Sequence, residues 1–148
     1  MRTLHQSDYV KIFYASEENI LTYQWLSASA TMPDQAFKQE MLRIPEISAE
    51  YRPTGFLEDN TQRDFIIRPE LQCWISTEIA PHQFEYGTSY FALTNPPSYV
   101  AQLSTQQTMD EIKKQIKKSF NVAYFDDHPQ AWEWLCLQQM TVGDVSIV

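Results

Sequence analysis

The sequence predicts an α/β domain of order ββαβαβαβα, a mixed and mostly parallel sheet of about five strands flanked by four helices. Three observations predict it. In residues 121–135, NVAYFDDHPQAWEWL, the apolar run Val122, Ala123, Tyr124 and Phe125 suits a strand covered on both faces, and Asp126 and Asp127 end it. Asp127 then caps a helix with Pro129 in its first turn and Gln130 three residues on, while Ala131, Trp134 and Leu135 form one buried stripe. A strand feeding directly into a helix is half of a βαβ unit. The second observation is that the chain opens with two alternating segments, the pattern of an antiparallel hairpin with one face inward. The third is that short strand-like runs then alternate with helix-period stripes, with no repeat or low-complexity linker between them.

Taken in order, residues 9–14 alternate Val10, Ile12 and Tyr14 against Lys11, residues 16–19 turn, and residues 20–26 alternate Leu21, Tyr23 and Trp25 against Thr22 and Gln24. Thr31 is placed to cap a helix from Met32 and Pro33, with Phe37, Met41 and Ile44 on one side and Pro45 as its end or kink. TGFLE at 54–58 is the third strand, and the polar run 59–64 leads out of it. Pro69 opens a second helix with Leu71, Trp74, Ile75 and Ile79 on one face; Pro81 bends it and Gly87 stops the segment. SYFAL at 89–93 is the fourth strand, broken by Asn95, Pro96 and Pro97. Ser104 with Gln107 has the spacing of a capping box for a third helix carrying Met109, Ile112 and Ile116. The 121–135 unit supplies the fifth strand and fourth helix.

Composition bounds the rest. A chain of 148 residues, 43% hydrophobic and 14% aromatic, makes one domain, of a size that buries about two thirds of its unfolded surface. We expect its core over residues 8–137 and a C-terminal tail at 138–148. A formal charge of −8 and a pI near 4.7 argue against nucleic acid as the main partner, because phosphate backbones repel such a surface. The opening MRTLHQSDYV has no apolar signal core, and no apolar run is long enough to span a bilayer, so neither secretion nor a membrane span is expected. Cys73 and Cys136 stand alone on separate helices, which suits reduced thiols in a cytoplasm.

Chemistry-bearing motifs are sparse. The three glycines, Gly55, Gly87 and Gly143, allow no phosphate loop, dinucleotide turn or GxSxG elbow. The three histidines, His5, His82 and His128, lack metal-ligand spacing, and His128 reads as a first-turn helix residue. We therefore expect no enzyme, no cofactor and no metal site. The acidic residues Glu58, Asp59 and Asp126, with Asn60, would lie at the C-terminal ends of the third and fifth strands, where open α/β sheets bind ligands. Clustered carboxylates there could hold Mg2+, although Asp127 is accounted for as a cap and Asp59 with Asn60 as a turn. Lys113, Lys114, Lys117 and Lys118 form a basic cluster without interleaved aromatics, as on a solvated helix end. Trp25, Trp74, Trp132 and Trp134 fit a core better than a base-stacking platform, with Trp132 on the shoulder of its helix.

The ending YFDDHPQAWEWL, the central FLEDN followed by IRPELQCWI, and YVAQLSTQQTMDEI together resemble the bacterial STAS-like, or SpoIIAA-like, proteins, which are related in fold to CRAL-TRIO lipid-binding domains. The resemblance covers roughly residues 8–137. It implies a SpoIIAA-like fold and a non-enzymatic regulatory module working through protein–protein contact; the CRAL-TRIO relationship allows a small apolar or lipid-like ligand as the alternative. In the phosphorylation-controlled antagonists of this family a Ser or Thr opens the second helix as the switch, where helix-terminal donors meet the phosphate. Here that stretch is Phe65, Ile66, Ile67, Arg68, Pro69, without a hydroxyl, and Thr61 is the nearest one upstream. Three consecutive large apolar residues cannot all point inward from a surface loop, so Phe65, Ile66, Ile67 and Arg68 are the candidate partner-binding surface. Two of the three would be buried if Ile67 folds back on the helix and Phe65 plugs the sheet end.

Overall fold

In the computed structural model, which describes residues 1–147 and side chains through Met140, six strands form one sheet in chain order. Strands β1 (Arg2–Gln6), β2 (Val10–Ala15) and β3 (Ile20–Trp25) make an antiparallel meander. Strands β4 (Gly55–Asp59), β5 (Tyr90–Thr94) and β6 (Asn121–Phe125) then add on parallel to β3 and to one another. Between β3 and β4 come a 3-10 turn (Ser27–Thr31), α1 (Asp34–Met41) and α2 (Arg43–Tyr51). Helices α3 (Pro69–Glu78) and α4 (Ala80–Glu85) precede β5, α5 (Tyr99–Gln115) precedes β6, and α6 (His128–Ile147) follows it. The architecture is thus the predicted mostly parallel α/β sheet flanked by helices.

Neighbouring parallel strands joined by right-handed crossovers place every connection on the same face, and the apolar packing follows that rule. Leu21, Tyr23, Trp25, Phe56, Phe91 and Leu93 alternate onto one face and pack with Phe37, Met41, Ile44, Ile75, Ile79, Met109 and Ile112 from α1, α2, α3, α5 and the α3–α4 joint. Ile20, Leu57 and Ala92 alternate onto the other face beneath Ala131 and Leu135 of α6. Gly55 lies where α6 comes closest: a Cβ there would meet Ile20 Cγ1 at 3.2 Å, with Leu135 Cδ2 and Gln139 Nε2 both at 3.3 Å. Asn19, with φ of 56°, ties the β2–β3 turn to the start of β4. Its carbonyl accepts from Thr54 N at 3.1 Å and Gly55 N at 3.2 Å.

Five parts of the chain differ from expectation. The sheet has six strands rather than about five, because RTLHQ is a real strand; it lies at an edge with a register shift between Thr3 and His5, so it shows no apolar alternation. The helix expected from Met32 is two helices meeting at Leu42, and Pro45 sits in the first turn of α2, where its missing N–H breaks no intrahelical bond. The first of them starts at Asp34 behind Pro33, and Thr31 is not its cap. The helix expected to bend at Pro81 likewise divides at Ile79, giving six α-helices rather than four, with Gly87 at φ of 105° behind them. Finally, α5 starts at Tyr99, five residues before the expected cap Ser104. Ser98 is the cap, accepting from Ala101 N at 3.1 Å, while Ser104 Oγ turns back to the Ala101 carbonyl at 2.8 Å. Helix α6 also continues through the residues expected to form a tail. Among the described residues no helix is long and apolar enough to cross a membrane.

Candidate functional site

The C-terminal edge of the parallel strands gathers most of the polar side chains singled out in the sequence, and the period-2 alternation of β4 sorts them onto two faces. Asp59 points toward α6 and is buried, with 3% of its surface exposed. Its Oδ1 accepts from Thr61 N at 3.0 Å and Thr61 Oγ1 at 2.7 Å, with Thr94 Oγ1 at 3.4 Å. Its Oδ2 lies 3.1 Å from His128 Nδ1, in the first turn of α6, and the His128 ring stacks on Trp132. Burial on its own would raise the Asp59 carboxyl, but the hydrogen bonds from His128 and Thr61 outweigh it and hold the group below the ordinary carboxylate value.

Glu58 points to the opposite face, toward the large core. Burial raises its carboxyl, opposed by the charge of Arg63 and by the hydrogen bond from Asn60 Nδ2 to Oε2 at 2.9 Å. Asn60 is fully buried: its N donates to Thr94 Oγ1 at 2.6 Å and its Nδ2 also to the Thr94 carbonyl at 3.1 Å. Asp126 stays exposed and accepts from Asn95 Nδ2 at 3.2 Å. Asn60 thus links Glu58 and, through Thr94, Asp59, although the two carboxylates point to opposite faces, and Asp126 stands apart from all three. Among the described residues no three of His, Cys, Asp and Glu converge on a position that could hold a metal ion.

Arg63 was hidden in the polar run. Its guanidinium is fully buried, with Nη2 donating to the Ala101 carbonyl at 3.1 Å and to Thr105 Oγ1, and with its centre 5.2 Å from the Phe65 ring. Burial lowers its pKa to about 10 against the opposing charge of Glu58. Its Nε and Nη1, like Asn60 Oδ1, have no partner among the described residues.

Arg63 fastens the loop 60–68 to α5, and that loop divides the candidate surface. Phe65 packs edge-on against Trp25 and Phe37, with ring centroids at 5.3 and 5.8 Å. Ile67 is buried, and its N donates to Ser104 Oγ at 3.1 Å, while its carbonyl accepts from Gln72 Nε2 at 2.8 Å. Ile66, between them, is 51% exposed. Arg68 is exposed and pairs with Asp34 and with Glu70. Of the proposed partner-binding residues, Ile67 thus belongs to the core, and Phe65 is half-buried at its edge, packed on Trp25 and Phe37 while also lining the recess beside Ile66. Ile66 and Arg68 remain on the surface, beside a recess of about 160 Å3 rimmed by Ala30, Met32, Asp34 and Leu71.

Sequence reasoning missed the neighbouring apolar surface on α5. Tyr99, Val100 and Leu103 are 75%, 52% and 41% exposed in its first turns. The signal was available, since Ala101, Ser104, Thr105, Thr108, Met109 and Ile112 form the buried stripe, which leaves positions 99, 100 and 103 facing out. The large core itself is filled: its internal cavity, lined by Glu58, Gln83, Phe56, Phe91 and Thr108 among others, measures about 40 Å3, room for no more than a few waters. No family model, curated protein or solved structure matches the chain.

Proposed function

We propose that this protein is a non-enzymatic, cytoplasmic STAS-like module that regulates by binding a partner protein through the surface centred on Ile66. The observation carrying this reading is the contrast within one tripeptide. Ile67 is buried, Phe65 is half-buried against Trp25 and Phe37, Arg63 is bonded to α5, and Ile66 is left half exposed between them. A loop braced in this way loses little conformational entropy when it docks, which is how a small contact becomes an effective one. Val100 and Leu103 extend the apolar surface, because the Ile67-to-Ser104 hydrogen bond sets the loop against the same turns of α5.

The alternative, a small apolar or lipid-like ligand in the core, has less support, since a cavity of about 40 Å3 would have to grow many-fold to hold one. The test is affinity capture from the native extract with wild-type protein, Ile66→Ser and the exposed control Glu133→Ala, quantified by mass spectrometry. Discrete proteins should be lost with Ile66→Ser alone, while all three proteins melt within a few degrees of one another. The same proteins captured by all three would end the docking reading.

A further inference from the structure

We infer that the segment docking on this surface is basic, with aliphatic side chains that seat on Ile66, Val100 and Leu103; the inference rests on the docking reading above and names its partner class. The warrant is charge placement. Asp34 opens α1, Asp64 lies in the loop, Glu70 opens α3, and Asp126 and Asp127 end β6, so five exposed carboxylates follow the C-terminal ends of the strands around the apolar surface. Two cations lie among them. Arg63 is fully buried, and Arg68 is already paired with Asp34 and Glu70. The helix N-termini favour acids at three of these positions, but whatever holds them there, the field an incoming chain meets is negative. Lys113, Lys114, Lys117 and Lys118 are at the other end of α5, leading to the start of β6, with Lys114 paired to Glu111.

An apolar centre within an acidic rim selects its partner by sign: like charges at the rim repel, and opposite charges speed encounter and fix register. The recess beside Ile66 shares Asp34 and Arg68 on its rim, so an aliphatic side chain entering it brings its neighbours within reach of Asp34 and Glu70. An anionic membrane or nucleic acid would face repulsion over the same surface.

The test uses the full chain, labelled with 15N, and two synthetic amphipathic peptides with leucines at identical positions, one with lysine and one with glutamate elsewhere. The lysine peptide should shift the amide signals of Ile66, Val100 and Leu103 saturably, with an affinity that falls as salt is raised. The glutamate peptide should shift nothing. Ile66→Ser with Leu103→Ser should abolish the shifts, and Asp64→Asn with Asp126→Asn should weaken binding several-fold, both at unchanged melting temperature. Equal binding of the glutamate peptide, or lysine-peptide shifts confined to another surface, would overturn the basic partner. Ile66-dependent capture from the extract, combined with either of those results, would leave docking standing and remove only its charge preference.

Discussion

Close contact between α6 and the sheet at Gly55 can be tested as a pair of substitutions that should partly cancel. Leu135 is fully buried against Ile20, Leu57, Ala92 and Ala131. With glycine and alanine for several of its neighbours, the site has little bulk that could collapse into a void, so Leu135→Ala should cost about 3 to 5 kcal/mol, the upper part of the usual range. In a domain of this size that corresponds to a melting point lower by about 6 to 20 °C. Gly55→Ala is the reverse insult. Its new Cβ would lie 3.2 Å from Ile20 Cγ1 and 3.3 Å from Leu135 Cδ2, and overpacking of this kind costs about 1 to 3 kcal/mol. Leu135→Ala removes Cδ2, so the Gly55→Ala penalty should shrink in that background, giving a favourable coupling of about 0.5 to 2 kcal/mol. Urea melts of the four proteins, followed by tryptophan fluorescence and circular dichroism, measure the cycle. Strict additivity, or a Leu135→Ala cost below about 1 kcal/mol, would refute the packing of α6 on β4.

Other expectations follow from the same geometry. Phe65→Ala should destabilise by about 2 to 4 kcal/mol through loss of its contacts with Trp25 and Phe37, whereas Ile66→Ser should stay within about 0.5 kcal/mol; equal costs in thermal melts would mean that the loop is misread. Because the Asp59 carboxyl is held below its ordinary 3.8, its stabilisation is present above that pH and is lost as pH falls through the lowered folded value. Asp59→Asn should accordingly flatten the acid limb of the stability–pH curve, and an unchanged limb would argue that His128 and Thr61 do not hold the charged form. Mg2+ should leave the melting temperature unmoved, since Glu58 and Asp59 diverge and both Asp59 oxygens already have partners. A saturable rise that is lost in Asp59→Asn would mean a metal site exists.

What was legible in the sequence was whatever a single period announces. The alternation in β2 and β3, the position of β6, and the Asp127 cap, which accepts from Gln130 N at 2.9 Å, all lie where residue pattern placed them, but β6 is an edge strand with Tyr124 exposed and is not covered on both faces as its apolar run suggested. Edge strand β1 was not legible because one apolar residue, Leu4, in five leaves no period to find. The start of α5 was missed because Ser98 and Ser104 are both competent caps locally, and the choice depends on Pro96 and on packing of the first turns against the loop. The site divides in the same way. Asp59, Asn60 and Asp126 could be assigned to the strand ends from order alone, but the partnership of Asp59 with His128 spans 69 residues and the burial of Arg63 depends on α5, neither of which a local window contains.

A group of buried polar side chains lies where loop 60–68 meets the sheet, and that placement has a physical logic. Asp59, Asn60, Arg63, Thr94, Ser104 and Thr105 are all at most 4% exposed and surround the root of the loop. An apolar replacement of such a network is often as stable or more so, because desolvating a guanidinium and a carboxylate offsets much of their attraction. What the network adds is geometry: each hydrogen bond has a direction, so only one path for residues 60–68 satisfies Asp59, the Thr94 carbonyl, the Ala101 carbonyl and Ser104 together. Apolar packing alone would let the loop shift with little penalty, and the proposed docking would then have to order Ile66 as well. With the network in place the loop is already ordered in the folded chain, so the docking proposed above would meet Ile66 in a fixed position.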